Sequence, residues 1–461
     1  MQLPTAPLPA LARRRAALVA ALGDQPALLV AGLPRPRNYR ANSYPFRPHS
    51  HFLYFVGWGV PGAVALFDAG EVTLYLPPEI PDDALWSGPP VDASAIGAAL
   101  GGVRVASLDA LGDALAGRRD IATLPAPDAE TRSQQSTLLG RPITSAPLAG
   151  PDGALADAVI QLRLRHDDAA VAELRLAAEI TALAHHAGMR ATMPGIRESA
   201  VRAAMEAPLT ELGCATAYGS IVTVHGEILH NESHHNLLEA DDLLLADVGA
   251  ETPGGWAGDV TRTWPVSGTY SSAQADVYDV VLTAQRHAIA AVRPGARYRD
   301  IHMVALRSLA AGLRDLGVLL GDPVERAHDG TAALLFPHGV GHLLGLDVHD
   351  MEDLGDRAGY APGRDRSAEP GLKYLRLDRD LAAGMVVTIE PGIYFVPALI
   401  DDPDVRRRTA GRVDWARLDA YRRIRGIRIE DDVLVSATGA DVLTAAIPKE
   451  RNKIETVLAR P

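Results

Sequence analysis

The chain has 461 residues, of which 47% are apolar, with a formal net charge of -12 and one cysteine. That length predicts two domains, and the apolar content is ample for buried cores. The acidic balance argues against a nucleic-acid partner. A lone Cys214 excludes an internal disulfide framework or a multi-cysteine zinc site and fits a reducing, cytoplasmic setting. No apolar run reaches the about 18 residues of a membrane-spanning helix.

Residues 1–23 hold Arg13, Arg14 and Arg15 and no acidic residue, a pattern weakly like a transit peptide. They lack Ser and run straight into an apolar strand, so we read them as the first amphipathic helix of a folded domain. ALLVAGL (27–33), FLYFVGW (52–58), AVALF and VTLYL (within 63–77) read as strands. With the Pro- and Gly-punctuated stretch that follows, they predict a compact α/β domain. A helix is expected from Asp167, its N-cap, with Val171, Leu174, Ala178 and Ile180 on one face, ending by Pro194-Gly195. The domain boundary falls at 155–165.

Ser271 and Gln274 form a capping box that opens a helix running through Val292. Another helix is predicted from Tyr298 to Leu316, stopped by Gly317. Strand-like runs lie at 219–224, 243–248, 385–395 and 427–435. Segment 397–425 mixes many Arg and Asp residues and reads as a solvated surface excursion.

Chemistry concentrates in the C-terminal half. Asp247 ends the apolar run LLLA, and Asp259 begins a strand carrying Thr261 and Thr263. Each alone fits a turn or capping Asp; together, the short loop between them predicts a hairpin that joins the two carboxylates. Glu390 closes MVVTIE and Glu430 sits in IRIEDD, where strand alternation puts it on the face of Arg428 and Asp432. A carboxylate on a largely apolar strand is costly to bury unless paired, by Arg or by a metal. PHGVGHLLGLDVHD supplies His338, His342 and His349, and His230 lies upstream; His234 and His235 read as solvent-facing. Brought together, the four carboxylates repel one another unless balanced; two hard divalent cations balance them, and one imidazole completes the ligand set. By ligand type these are manganese, cobalt, iron or zinc. Such a pair of ions implies metal-assisted hydrolysis, most simply of an amide.

In this order, Asp247, AGDVTRTWPV, HGVGHLLGLDVHD, TIEPGIY and GIRIEDD resemble the aminopeptidase P and prolidase branch of the pita-bread metallopeptidases. YPFRPHSHFLYFVGW resembles the same enzymes' N-terminal creatinase-type domain. The resemblance implies an N-terminal α/β domain over 1–160 and a pseudo-symmetric pita-bread catalytic domain over 161–461. It implies Asp247, Asp259, His342, Glu390 and Glu430 as ligands to two divalent ions, manganese foremost, with Asp259 bridging and Glu390 moving protons. It casts His230, His338, His349 and Arg428 as catalytic. It places Tyr394 near the substrate, Arg376 on a dipeptide's C-terminal carboxylate, and Trp86 near a partner subunit's site in a dimer or tetramer. The substrate implied is a peptide with proline in second position, cleaved as Xaa-Pro aminopeptidase or, alternatively, as Xaa-Pro dipeptidase. A metal-free creatinase-like hydrolase, a non-catalytic binding module and a methionine aminopeptidase are the other readings.

Overall fold

The computed structural model describes residues 7–78, 83–88, 92–145 and 147–459. The chain divides into two compact units, Met1–Ala169 and Ala170–Pro461.

The first unit is built on a five-stranded sheet of β1 (Ala27–Val30), β2 (Val64–Asp68), β3 (Glu71–Leu76), β4 (Arg104–Ser107) and β5 (Ala122–Thr123), in the order β4-β3-β2-β1-β5. β1, β2 and β3 run antiparallel, while β4 and β5 join as parallel strands. The apolar run ALLV is buried throughout, and Leu28, Val30, Val64, Leu66 and Tyr75 meet Leu111 and Leu115 in the core. The Arg-rich start is a helix, Leu8–Leu22. Two of its arginines are structural: Arg15 donates to Phe55 O at 3.1 Å and Leu100 O at 2.9 Å, and Arg14 pairs with Asp167 at 2.8 Å. Both carbonyls lie at helix ends, where unpaired C=O groups favour a cation.

FLYFVGW is not a strand. Ser50–Val56 is a helix with every residue buried, ended by Gly57 in the left-handed region. A fully buried apolar run has no polar face, so its period cannot separate helix from strand. Trp86 lies on the short helix Asp83–Ser87 and is 81% exposed.

The second unit holds short strands: β6 (Ala215–Thr216), β7 (Ile221–Thr223), β8 (Leu243–Asp247), β9 (Ala250–Glu251), β10 (Thr261–Pro265), β11 (Val386–Ile389), β12 (Gly392–Tyr394), β13 (Gly426–Arg428), β14 (Asp431–Val435) and β15 (Ala440–Val442). They form sheets β10-β8-β7 and β11-β14-β15 and pairs β12-β13 and β6-β9. Helices Asp168–Ala191, Glu198–Glu211, Ser272–Ala291 and Tyr298–Asp315 complete the unit, and the capping box at Ser271 and Gln274 is made as expected. The last two helices pack together closely: a Cβ on Gly312 would come within 2.5 Å of Val280. Segment 397–425 is a surface excursion of short helices laced by Arg–Asp pairs such as Arg407–Asp404, with Ile400, Leu418 and Tyr421 buried beneath. Among the described residues no helix is long and apolar enough to cross a membrane.

Candidate active site

Strand register brings the carboxylates together. Antiparallel pairing sets Thr261 opposite Asp247, so Asp259, two residues before Thr261, lands at the same end of the hairpin. β11 pairs with β14 through Ile389 and Asp431, and β12 with β13 through Gly392 and Arg428. Each of these two chains is interrupted between its strands, and the two gaps face one another. Glu390 occupies one gap and Glu430 the other. The Thr261 hydroxyl donates to Glu430 Oε2 at 2.6 Å, and Glu430 N donates to Thr261 O at 3.0 Å, which ties the two halves together.

His342 sits in a loop docked on β11. Its N–H donates to Thr388 Oγ1 at 3.1 Å, and its Nδ1–H donates to its neighbour's carbonyl, Leu343 O, at 2.9 Å. A carbonyl only accepts, so in the neutral ring the lone pair falls on Nε2, which lies 3.3 Å from Asp259 Oδ2 and 3.7 Å from Glu390 Oε1. A Cβ on Gly341 would meet Thr388 O at 2.2 Å, so only glycine lets this loop approach so closely. Asp259, His342 and Glu430 each offer a donor atom within 4.8 Å of the others, all buried.

A cavity of about 380 Å³ opens on these groups, and all five expected ligands, together with His230, His338, His349, Arg376 and Arg428, line it. Tyr394 does not: it is fully buried behind the wall, accepting from Arg428 Nη1 at 3.2 Å and donating to His338 Nε2 at 2.8 Å. Its geometry is that of a support for Arg428 and His338 rather than a substrate contact. His234, expected in solvent, is buried with its ring on Ser220 O at 2.9 Å, while His235 is exposed. Arg428 donates to Asp247 Oδ2 at 2.6 Å and to the Thr261 hydroxyl at 2.8 Å. Arg376 pairs with Glu352 at 2.6 Å, and the same carboxylate takes His349 Nδ1–H at 3.2 Å.

Several groups here carry no sequence signal. Tyr218 places its hydroxyl 2.5 Å from Asp247 Oδ1 and 2.7 Å from Asp259 Oδ1. Pairing of Ile221 with Asp247 on one side and of Thr216 with Ala250 on the other brings this tyrosine to the carboxylates. Arg262, fully buried, pairs with Asp431 at 2.8 Å and donates to Glu430 O, holding that backbone in place. Lys449 binds Asp431 at 2.5 Å. Burial opposes ionisation of Asp431, yet Arg262 and Lys449 hold its pKa down at about 2.

Residues 172–437 match metallopeptidase family M24, and residues 11–122 match the N-terminal domain of aminopeptidase P. The chain belongs to metallopeptidase family M24. It is 32% identical to a probable Xaa-Pro aminopeptidase of Fusarium vanettenii, over 90% of this chain and 87% of that one. A probable Xaa-Pro aminopeptidase of Aspergillus fumigatus is also 32% identical, over 90% and 88%. Among solved structures, proline aminopeptidase P II from Yersinia pestis superposes with a TM-score of 0.80 at 29% identity, covering 98% of this chain and 99% of that one. Pseudomonas aeruginosa aminopeptidase PepP gives 0.79 at 29% identity, covering 98% of each.

In this M24 enzyme the donor set fits a hard divalent cation. Burial first, then the neighbouring Asp247, pushes the Asp259 carboxyl up to about 8. Burial lifts Glu390 to about 7 against the pull of His342 and Arg428. Glu430 is raised well above the carboxylate range by burial, then by Asp259 and Glu390. Like charges crowded in a buried site favour a dication that takes oxygen ligands and one imidazole. The histidines are neutral: burial holds His338 down to about 3 and depresses His349 and His230. Tyr218→Phe tests the support beneath the candidate ligands. It should weaken metal affinity about tenfold or more, measured by competition with a metallochromic indicator, and unchanged affinity would remove Tyr218 from the metal centre.

Proposed function

We propose that this metallopeptidase removes the N-terminal residue from peptides with proline in second position. The observation that carries the reading is the convergence of Asp247, Asp259, His342, Glu390 and Glu430 on one cavity that also holds three neutral histidines. Support comes from the probable Xaa-Pro aminopeptidases to which 90% of the chain is similar. With no expected ligand missing, metal-free creatinase-like chemistry and a purely binding role are disfavoured. We assign two divalent ions, manganese first, which Asp247, Asp259, His342, Glu390 and Glu430 would hold; the residues also suit cobalt, zinc or iron by ligand type.

Divalent cations bound there would supply charge that polarises the scissile carbonyl and eases loss of a proton from water. Glu390 accepts that proton and returns it to the departing proline nitrogen. Its oxygens lie 3.7 Å from His342 Nε2 and 3.8 Å from His338 Nδ1, within the group the substrate must reach. Proline's nitrogen has no N–H before cleavage, so the site has no donor there to recognise and must protonate it on departure. His349, its Nδ1–H given to Glu352, keeps Nε2 for the substrate. Arg428 holds Asp247, and Tyr394 steadies both Arg428 and His338.

The enzyme is expected to work in the cytoplasm as a dimer or tetramer, with exposed Trp86 at the subunit contact; sedimentation velocity of wild type against Trp86→Ala decides that point. The function is tested by metal analysis with assays on Xaa-Pro-Yaa and Xaa-Pro. Manganese-stimulated release of the first residue from the tripeptide is expected. Bound metal with neither peptide cleaved would sink the reading.

A further inference from the structure

Arg376 lines the cavity that holds the ligands and also a second pocket of about 190 Å³, and Tyr374 lines both. The second pocket carries Asp350, Glu352 and Asp356 against Arg366 and Arg376. Neither guanidinium is unpaired: Arg376 is bound by Glu352 at 2.6 Å and Arg366 by Asp356 at 2.5 Å. Burial opposes ionisation of Glu352, yet His349 and then Arg376 bring its pKa down to about 2, so it is anionic at neutral pH.

These contacts bear on a short peptide. If the scissile bond lies at the ligands, the carboxylate of an Xaa-Pro dipeptide sits on the proline itself, inside this cavity. In Xaa-Pro-Yaa it lies one residue, about 3.5 Å of extended chain, further out. The one guanidinium here that does not hold a metal-ligand carboxylate is Arg376, and a dipeptide's carboxylate reaching for it meets Glu352 already there. Like charges at such contact distances are costly near a protein surface.

We propose that Glu352 masks Arg376 and sets peptide length: it disfavours Xaa-Pro dipeptides, and the adjoining pocket accepts the residue after proline. The proposal rests on the Xaa-Pro reading above. It makes Glu352 a specificity residue, and the contact with His349 gives it a second, positioning part that must be separated in the test.

Comparing an Xaa-Pro acid with its C-terminal amide on the wild-type enzyme loaded with manganese needs no variant. The amide, which lacks the repelled charge, should show a kcat/KM about tenfold higher. Glu352→Gln keeps an oxygen for His349 Nδ1–H but removes the charge. It should raise the ratio of kcat/KM for Xaa-Pro over Xaa-Pro-Yaa by about tenfold, chiefly through KM for the dipeptide. Any general loss through His349 falls on both peptides and cancels in the ratio. Adding Arg376→Ala to Glu352→Gln should abolish the gain. Acid and amide cleaved equally, or a ratio that Glu352→Gln leaves unmoved, overturns the proposal while leaving the Xaa-Pro reading intact. Failure to cleave the acid, the amide and the tripeptide alike overturns that reading and the proposal with it.

Discussion

Asp259→Asn is expected to lower kcat/KM on Xaa-Pro-Yaa by about a thousandfold or more, equivalent to about 4 kcal/mol of transition-state stabilisation. Asp259 touches an imidazole, a phenol and a neighbouring carboxylate of the site. Its oxygens lie 3.3 Å from His342 Nε2 and 2.7 Å from the Tyr218 hydroxyl, and its N–H donates to Asp432 Oδ2 at 3.1 Å. Asparagine keeps the shape and loses the charge, so the backbone contact survives while the proposed cation would lose a negative ligand. Metal content measured on the purified variant should fall with activity. Stability should move the other way in metal-free protein, because the substitution removes a carboxyl that burial and Asp247 force out of its ordinary range. A variant that retains full metal and turns over within about tenfold of wild type would show that Asp259 is not a ligand.

How much of this could be read from sequence depends on where each signal resides. The candidate carboxylates stood out in the sequence because each ends or interrupts an apolar run, as Asp247 does after LLLA and Glu430 does in IRIEDD. Caps and stops were legible because they are local: Ser271 and Gln274 needed only their own turn. The Ser50–Val56 helix was not, since burial on every side erases the period that separates helix from strand. Tyr218 was hidden for another reason. Nothing about a tyrosine in a loop marks it until the register of β7 on β8 sets it beside two carboxylates. Arg262 carries the same lesson: its five contacts run to residues 261, 430, 431, 447 and 448, four of them far along the chain. Tyr394 is expected near the substrate on sequence grounds, and only the packing shows that it stands behind His338.

Metal-free protein should lose stability as pH rises from about 6.5 to about 8.5, and the stabilisation gained on adding manganese should grow over the same range. Asp259 at about 8, Glu390 at about 7, and Glu430 and Asp432 raised well above the carboxylate range all keep protons in the folded state that the unfolded chain gives up near pH 4. For each, burial is the leading cause. The folded state therefore binds more protons than the unfolded one across neutral pH, and its stability falls as the folded-state carboxyls ionise. Other groups work the opposite way but lower down. His185 at about 3, His302 at about 4 and His338 at about 3 are depressed by burial, so they add stability as pH climbs through the unfolded histidine value near 6.5 and nothing above it. Asp431 and Glu352, both near 2, have finished contributing by about pH 5. Above about 6.5 the raised carboxyls of Asp259, Glu390, Glu430 and Asp432 are left to set the slope. Thermal melts with chelator against manganese, taken at half-unit steps of pH, should diverge by about 5 °C or more at the alkaline end. Asp259→Asn should flatten the chelator curve by removing one titrating group from the cluster. Parallel curves in wild type would mean that the carboxyls are ionised without the metal, and the charge argument for the cation would fail.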